Sequence, residues 1–263
     1  MSITKERILK AACKLGRNIL ENGGEIYRVE ETINFFLEAY GIFDAQIFAI
    51  PATIIVTIEE EEKPLTQVER VKSSSLNLDK LAKFNDLSRR ACKNTPSIES
   101  VLEEIEDIRN EKPYSFFVSL LAYGLTAFFF CLFWKGDLRD SIVAFFCGIS
   151  TKYCLEFMSR GKSNIFFSNA VSSAVIAYIA IICVNLGIAH HYDKIIIGAI
   201  MSLVPGVAIT NIMRDIIAGD VITGTTKVAE VLLIALAIAV GIAIAMSSVI
   251  FFVGCSYGQP SGF

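Results

Sequence analysis

Residues 114–134 read YSFFVSLLAYGLTAFFFCLFW, an uncharged run of 21 residues with aromatic rings at both ends. At about 1.5 Å per residue, a helix of this length crosses the roughly 30 Å hydrocarbon layer of a bilayer. Tyr114 and Trp134 stand where interfacial rings are favoured. The stretch therefore predicts a transmembrane helix.

The charge distribution extends that reading to the whole chain. Of 51 charged residues among 263, 36 lie in the first 112 positions. The remaining 15 are too few to cover a water-soluble domain of that size, so the second part faces another solvent. We expect an α-helical integral membrane protein: a small α+β cytoplasmic domain over residues 1–112, then a five-helix transmembrane bundle over residues 113–263. The spans fall near 114–134, 138–158, 165–189, 195–213 and 229–253. In the second, Lys152 and Glu156 are four apart and can face each other. The fourth is interrupted by Pro205-Gly206, and it either crosses or re-enters.

With the N-terminal domain inside, Arg109, Lys112, Arg160, Lys162, Arg214 and Lys227 flank the inner face. Lys135, Arg139 and Lys194 flank the outer one, so the positive charges favour a cytoplasmic N-terminus and an external C-terminus. The N-terminus runs straight into charged helical sequence and shows no signal peptide. The seven cysteines show no ligand-like clustering and read as small buried hydrophobes.

In the first 112 residues, Ile8, Ala12, Leu15, Ile19, Ile26, Val29, Ile33, Leu37 and Tyr40 recur near helical spacing, with a break at Gly23-Gly24. The Ile/Val/Thr-rich stretch 46–59 reads as strands interrupted at Pro51, with a turn at 59–64 and another β segment over 65–71. Helices follow over 77–93 and 97–110, the second opened by Thr95-Pro96 with the proline in its tolerated first turn.

Function classes narrow by what the chain lacks. A net charge of -3 with mixed signs offers no basic stripe for nucleic acid. No phosphate-binding glycine loop, metal motif or supported nucleophile constellation is present, which argues against an enzyme or ATP-driven pump and implies no cofactor and no metal. His190 and His191, beside Asp193, read as proton sensors or plain interfacial residues. Glu230 reads as a proton carrier or a snorkelled head-group residue.

Two stretches carry polar chemistry. In 203–224, Pro205 and Gly206 break a helix and free backbone groups that must face protein, water or ligand. Thr210, Asn211, Arg214 and Asp215 follow, a set suited to both ends of a zwitterionic amino acid, with Arg214 suited to any carboxylate. Equally, Arg214 and Asp215 could mark a helix end, Asp220 could brace a turn, and Gly219 and Gly224 could be loop glycines. In 21–32, Glu21, Glu25 and Arg28 share a helix face, as a gate latch, a cation site or a solvated surface.

These two stretches carry a resemblance. Residues 22–33, NGGEIYRVEETI, resemble the N-terminal signature of the threonine/serine exporter family. Pro205-Gly206-Val207-Ala208-Ile209-Thr210-Asn211, with Arg214-Asp215 and Gly219-Asp220, looks like its second signature. The resemblance implies an inner-membrane exporter of small amino acids such as threonine and serine, or of small dicarboxylates such as succinate. It places gating or coupling on Glu25, Tyr27, Arg28, Glu30 and Glu31. It places the transport path on Pro205, Gly206, Thr210, Asn211, Arg214, Asp215, Gly219 and Asp220. Full-length threonine exporters resemble a fusion of this unit with further membrane helices, so the closer likeness is to the larger subunit of a split exporter. The implied partners are a small-molecule substrate, the lipid bilayer and a second small membrane subunit, rather than a self-sufficient homo-oligomer. A non-transport membrane scaffold or regulatory subunit is the competing expectation.

Overall fold

The computed structural model describes residues 5–60, 63–72, 75–161, 163–219 and 221–256. They divide into two compact units. One joins residues 1–112 with 210–227; the other joins 113–209 with 228–263.

In the first unit, α1 (Lys5–Glu21) ends where Gly23 takes φ +93°, a left-handed turn that glycine adopts without strain, and α2 (Ile26–Ala39) begins. Strands β1 (Gln46–Ile50), β2 (Thr53–Glu60) and β3 (Lys63–Arg70) form an antiparallel sheet in chain order. Its inner residues alternate, with Ala49, Ile54, Val56 and Ile58 buried, while Phe48 and Val68 face outward in register with Ile55. Helices α3 (Leu78–Asn94) and α4 (Ile98–Asn110) complete the core with Phe84, Leu87, Ala91, Val101 and Ile105. The Ser97 hydroxyl accepts the Ser100 amide, so Ser97 caps α4 and Pro96 precedes the cap instead of sitting in the first turn. Cys13 lies in this core, where burial pushes its thiol up to about 12.

The second unit is built from α5 (Phe116–Phe133), α6 (Leu138–Arg160), α7 (Ile165–Asn185), α8 (Tyr192–Ile200) and most of α10 (Val221–Ser256). Its helices approach closely through small residues. A side chain at Gly148 of α6 would meet the Tyr123 carbonyl of α5 at 2.4 Å, and one at Gly241 of α10 would meet the Ala170 carbonyl of α7 at 2.1 Å. Large apolar rings point outward: Phe117 is 79% exposed, Phe133 75% and Phe157 68%. Such a surface matches hydrocarbon, not water. Lys152 and Glu156 pair at 3.2 Å, as their spacing on α6 suggests.

Four helices among the described residues are long and apolar enough to cross a membrane: Phe116–Phe133, Leu138–Arg160, Ile165–Asn185 and Thr223–Val249. The fourth expected crossing, 195–213, is not one helix. It is divided between α8, of 9 residues, and α9 (Gly206–Ile217), of 12. Pro205 has no amide to donate and its ring crowds the preceding turn, so the helical ladder stops there. Before it, the Leu203 and Val204 amides both turn back on the Ile200 carbonyl.

One buried carboxylate organises the loops of the second unit. Asp140 Oδ1 accepts the His190 and His191 amides at 2.7 and 3.1 Å, while Oδ2 accepts the Asp137 amide at 3.1 Å and meets His191 Nδ1 at 2.9 Å. It thereby satisfies donors at the starts of both α6 and α8. Lys194 Nζ adds a bond to the Lys135 carbonyl at 2.7 Å.

Candidate functional site

Residues 210–227 belong to the same compact unit as residues 1–112, and within it the two polar stretches of the sequence meet. Asn211 on α9 donates through Nδ2 to the Gly23 carbonyl at 3.2 Å, across 188 positions of sequence. One helical turn later, the Arg214 guanidinium reaches Glu25 Oε1 at 2.9 Å. Glu25 Oε2 takes Arg28 at 3.4 Å.

Glu25 is the residue immediately before α2, with extended backbone (φ -71°, ψ 145°), and its side chain is buried. Burial by itself opposes its ionisation. The backbone amide of Glu25, the Arg214 hydrogen bond and the charges of Arg28 and Arg214 outweigh that effect, holding the carboxyl below its usual range. Both carboxylate oxygens are thus committed to cations, while the Arg214 side chain stays 57% exposed and able to receive another anion.

Asp215, the next residue of α9, has a different partner. It is fully buried, and Lys227 on α10 donates to Oδ2 at 2.9 Å. Oδ1 is buried and has no hydrogen-bond partner among the described residues. The chain returns from α9 to α10 through Gly219, whose φ of +101° is a left-handed conformation that other residues resist. A side chain at Gly224 would strike Ile216 at 2.3 Å, so α9 and α10 are closely apposed here.

The other singled-out residues distribute differently. Thr210 lies on α9, which Gly206 opens, and Pro205 immediately precedes that helix. Asp220 lies outside the described residues. Tyr27 is half-buried in the first turn of α2. Glu30 accepts the Ala49 amide at 2.8 Å and so ties α2 to β1. Glu31 is exposed and lines a surface groove of about 680 Å³ between α2 and α3, with Arg28, Phe35, Arg89 and Lys93. Of the five residues in the N-terminal signature, Glu25 and Arg28 therefore join the ion-pair chain with Arg214. Lys227 is the functional candidate that sequence reasoning missed, treated there only as a flanking charge. Its signal was a lone cation entering a long apolar run.

The chain matches the family model described as "Putative threonine/serine exporter" over residues 10–249. It is 21% identical to the "Probable succinate transporter subunit YjjP" of Klebsiella aerogenes, over 87% of this chain and 89% of that one. The protein of the same description from Escherichia coli K12 is 20% identical over 94% of this chain and 97% of its own. A "Probable threonine/serine exporter" of Mycobacterium tuberculosis is 21% identical over 92% of this chain, which covers 46% of that relative. No solved structure matches the chain. This helical membrane protein, with its two signature stretches in contact, belongs to the threonine/serine exporter family.

Proposed function

We propose that this chain is the larger subunit of a secondary exporter for small amino acids such as threonine and serine, acting in the cytoplasmic membrane with a second, smaller membrane subunit. The observation that carries this reading is the Glu25–Arg214 contact, which joins the two signature stretches at 2.9 Å. In it, the Glu25 carboxylate occupies the guanidinium that suits a substrate carboxylate. Arg214, Asp215, Asn211 and Thr210 then line the path, and the left-handed turn at Gly219 shapes it. Glu25 and Arg28 gate it: a substrate carboxylate that competes for Arg214 releases the N-terminal residues from α9. Tyr27, Glu30 and Glu31 couple that release to the rest of the N-terminal fold.

Five passes and a cytoplasmic N-terminus complete the reading. Three helices, α5, α6 and α7, carry the chain from residues 1–112 to the opposite face of the bilayer. The loops on that face meet through Lys194 and Lys135 and through His190 and Asp137. Residues 210–227 fold with residues 1–112, which supports a return across the bilayer through α8 and the start of α9.

A second reading, export of small dicarboxylates, is favoured by two observations. The relatives described as succinate transporter subunits match this chain over 89% and 97% of their own lengths. Two guanidiniums, Arg28 and Arg214, already converge on one carboxylate. Flux of L-threonine, L-serine and succinate from proteoliposomes, with and without the second subunit, tests both. We expect flux only from the pair, and Arg214→Ala to reduce it at least tenfold, the scale of one lost charge-assisted contact. Paired subunits that move none of the three solutes, or that are indifferent to Arg214→Ala, would overturn the export reading.

A further inference from the structure

Two neighbouring residues of α9 carry opposite charges, and each is held by an internal partner of the complementary sign. Arg214 holds the Glu25 carboxylate and Asp215 holds the Lys227 ammonium, both at 2.9 Å. The pairs differ in saturation. Glu25 has a cation on each oxygen, whereas Asp215 Oδ1, although buried, accepts nothing among the described residues. A buried acceptor without a donor is costly, and native folds keep few of them. This one stands beside a cation that approaches solvent, since Lys227 is 24% exposed while Asp215 is 0%.

The missing partner is a donor, and its chemistry is narrow. A metal ion needs several oxygen or nitrogen ligands. Among the described residues the one group of three metal-ligating side chains is Asp137, Asp140 and His191, far from Asp215 in sequence. An alkylammonium carries three N–H donors, enough to engage both carboxylate oxygens, whereas Lys227 engages one. A second carboxylate, by contrast, would meet the buried charge of Asp215 and be repelled.

We propose that Asp215 is the ammonium subsite of the transport path, that Lys227 is its resting occupant, and that this subsite selects amino-acid zwitterions over dicarboxylates. The proposal rests on the reading of α9 as part of that path. In the empty protein Lys227 stands in for the substrate ammonium as Glu25 stands in for its carboxylate. Substrate binding exchanges both, and Lys227 swings outward when Asp215 takes the ligand.

The full chain, purified with its second subunit, permits a test that needs no substitution. Saturating L-threonine should raise the labelling of Lys227 by an amine-reactive reagent severalfold, read by peptide mass spectrometry, and succinate should leave it unchanged. Lys227→Met should bind L-threonine roughly fivefold more tightly, a factor equivalent to about 1 kcal/mol for a removed internal competitor. Its lowered melting temperature should be restored by L-threonine and not by succinate. Asp215→Asn should bring the affinities for the two solutes within about twofold of each other, near the level at which discrimination is lost. Unchanged Lys227 labelling in a pair that exports threonine would overturn the subsite while leaving the export reading intact. Succinate flux without threonine flux would do the same. Absence of flux for both solutes would overturn the export reading itself.

Discussion

Glu25 is buried where α2 begins, and a charge there persists because two guanidiniums and its own backbone amide favour the ionised form over the protonated one. Its folded pKa lies below the ordinary value of 4.5, so protonation favours the unfolded chain. The stability it contributes is complete above 4.5 and is lost as pH falls through the lower folded value. Thermal unfolding of the wild type and Glu25→Gln should therefore show a gap at neutral pH that closes as the solution is acidified below that range. A gap independent of pH would mean that the ionised form contributes nothing. Gly219 makes a separate demand at the same scale, because its φ is +101°. Gly219→Val should destabilise the protein by more than about 1 kcal/mol, whereas the exposed Ala218→Ser nearby should leave the melting temperature nearly unchanged.

Among the elements, helix contacts through glycine and a shared carboxylate bear most directly on the membrane unit. Gly241→Leu forces a side chain into the Ala170 carbonyl, which a Cβ alone would meet at 2.1 Å. We expect a loss of roughly 1–3 kcal/mol from such overpacking, read as a lower unfolding temperature in detergent. Asp140→Ala removes the acceptor for amides at the starts of two helices, α6 and α8. A cap is worth about 1 kcal/mol, so this variant should lose roughly twice that. A loss no larger than that of a single cap would show that one of the two helix starts is held by other groups. The helix break at Pro205 was legible from residue chemistry. Its division into pieces of 9 and 12 residues was not, because the turn before it depends on the amides of Leu203 and Val204 folding back on Ile200.

For the whole molecule, the decisive quantity is the number of times the chain crosses the bilayer. Single cysteines at Ile188 and Ala218, introduced into a cysteine-free chain, should react with an impermeant thiol reagent from opposite faces. Labelling of both from one face would mean four crossings, with α8 and α9 re-entrant. Both positions are exposed, so reactivity reports sidedness instead of burial. The same experiment with a cysteine at Glu103 should place the N-terminal residues on the face that labels Ala218.

Charge density and uncharged run length respond directly to water and hydrocarbon, so the apolar helices were legible in the sequence. The sequence by itself also determined the break between α1 and α2 at Gly23-Gly24, the strands around Pro51, and the two stretches in which polar groups gather, because each is a local pattern with a local cause. That those stretches touch is visible only in three dimensions. Asn211 and Gly23 are 188 positions apart, and no periodicity connects them. The roles of neighbouring carboxylates were equally hidden: Glu25 joins Arg214, while Glu30, five residues on, holds β1. Lys227 was invisible as a partner of Asp215 because α9, the turn at Gly219 and the start of α10 must all form before those charges meet. Ion pairs are set by distance in space, and distance along the chain is a poor guide to it once a helix turns back on itself.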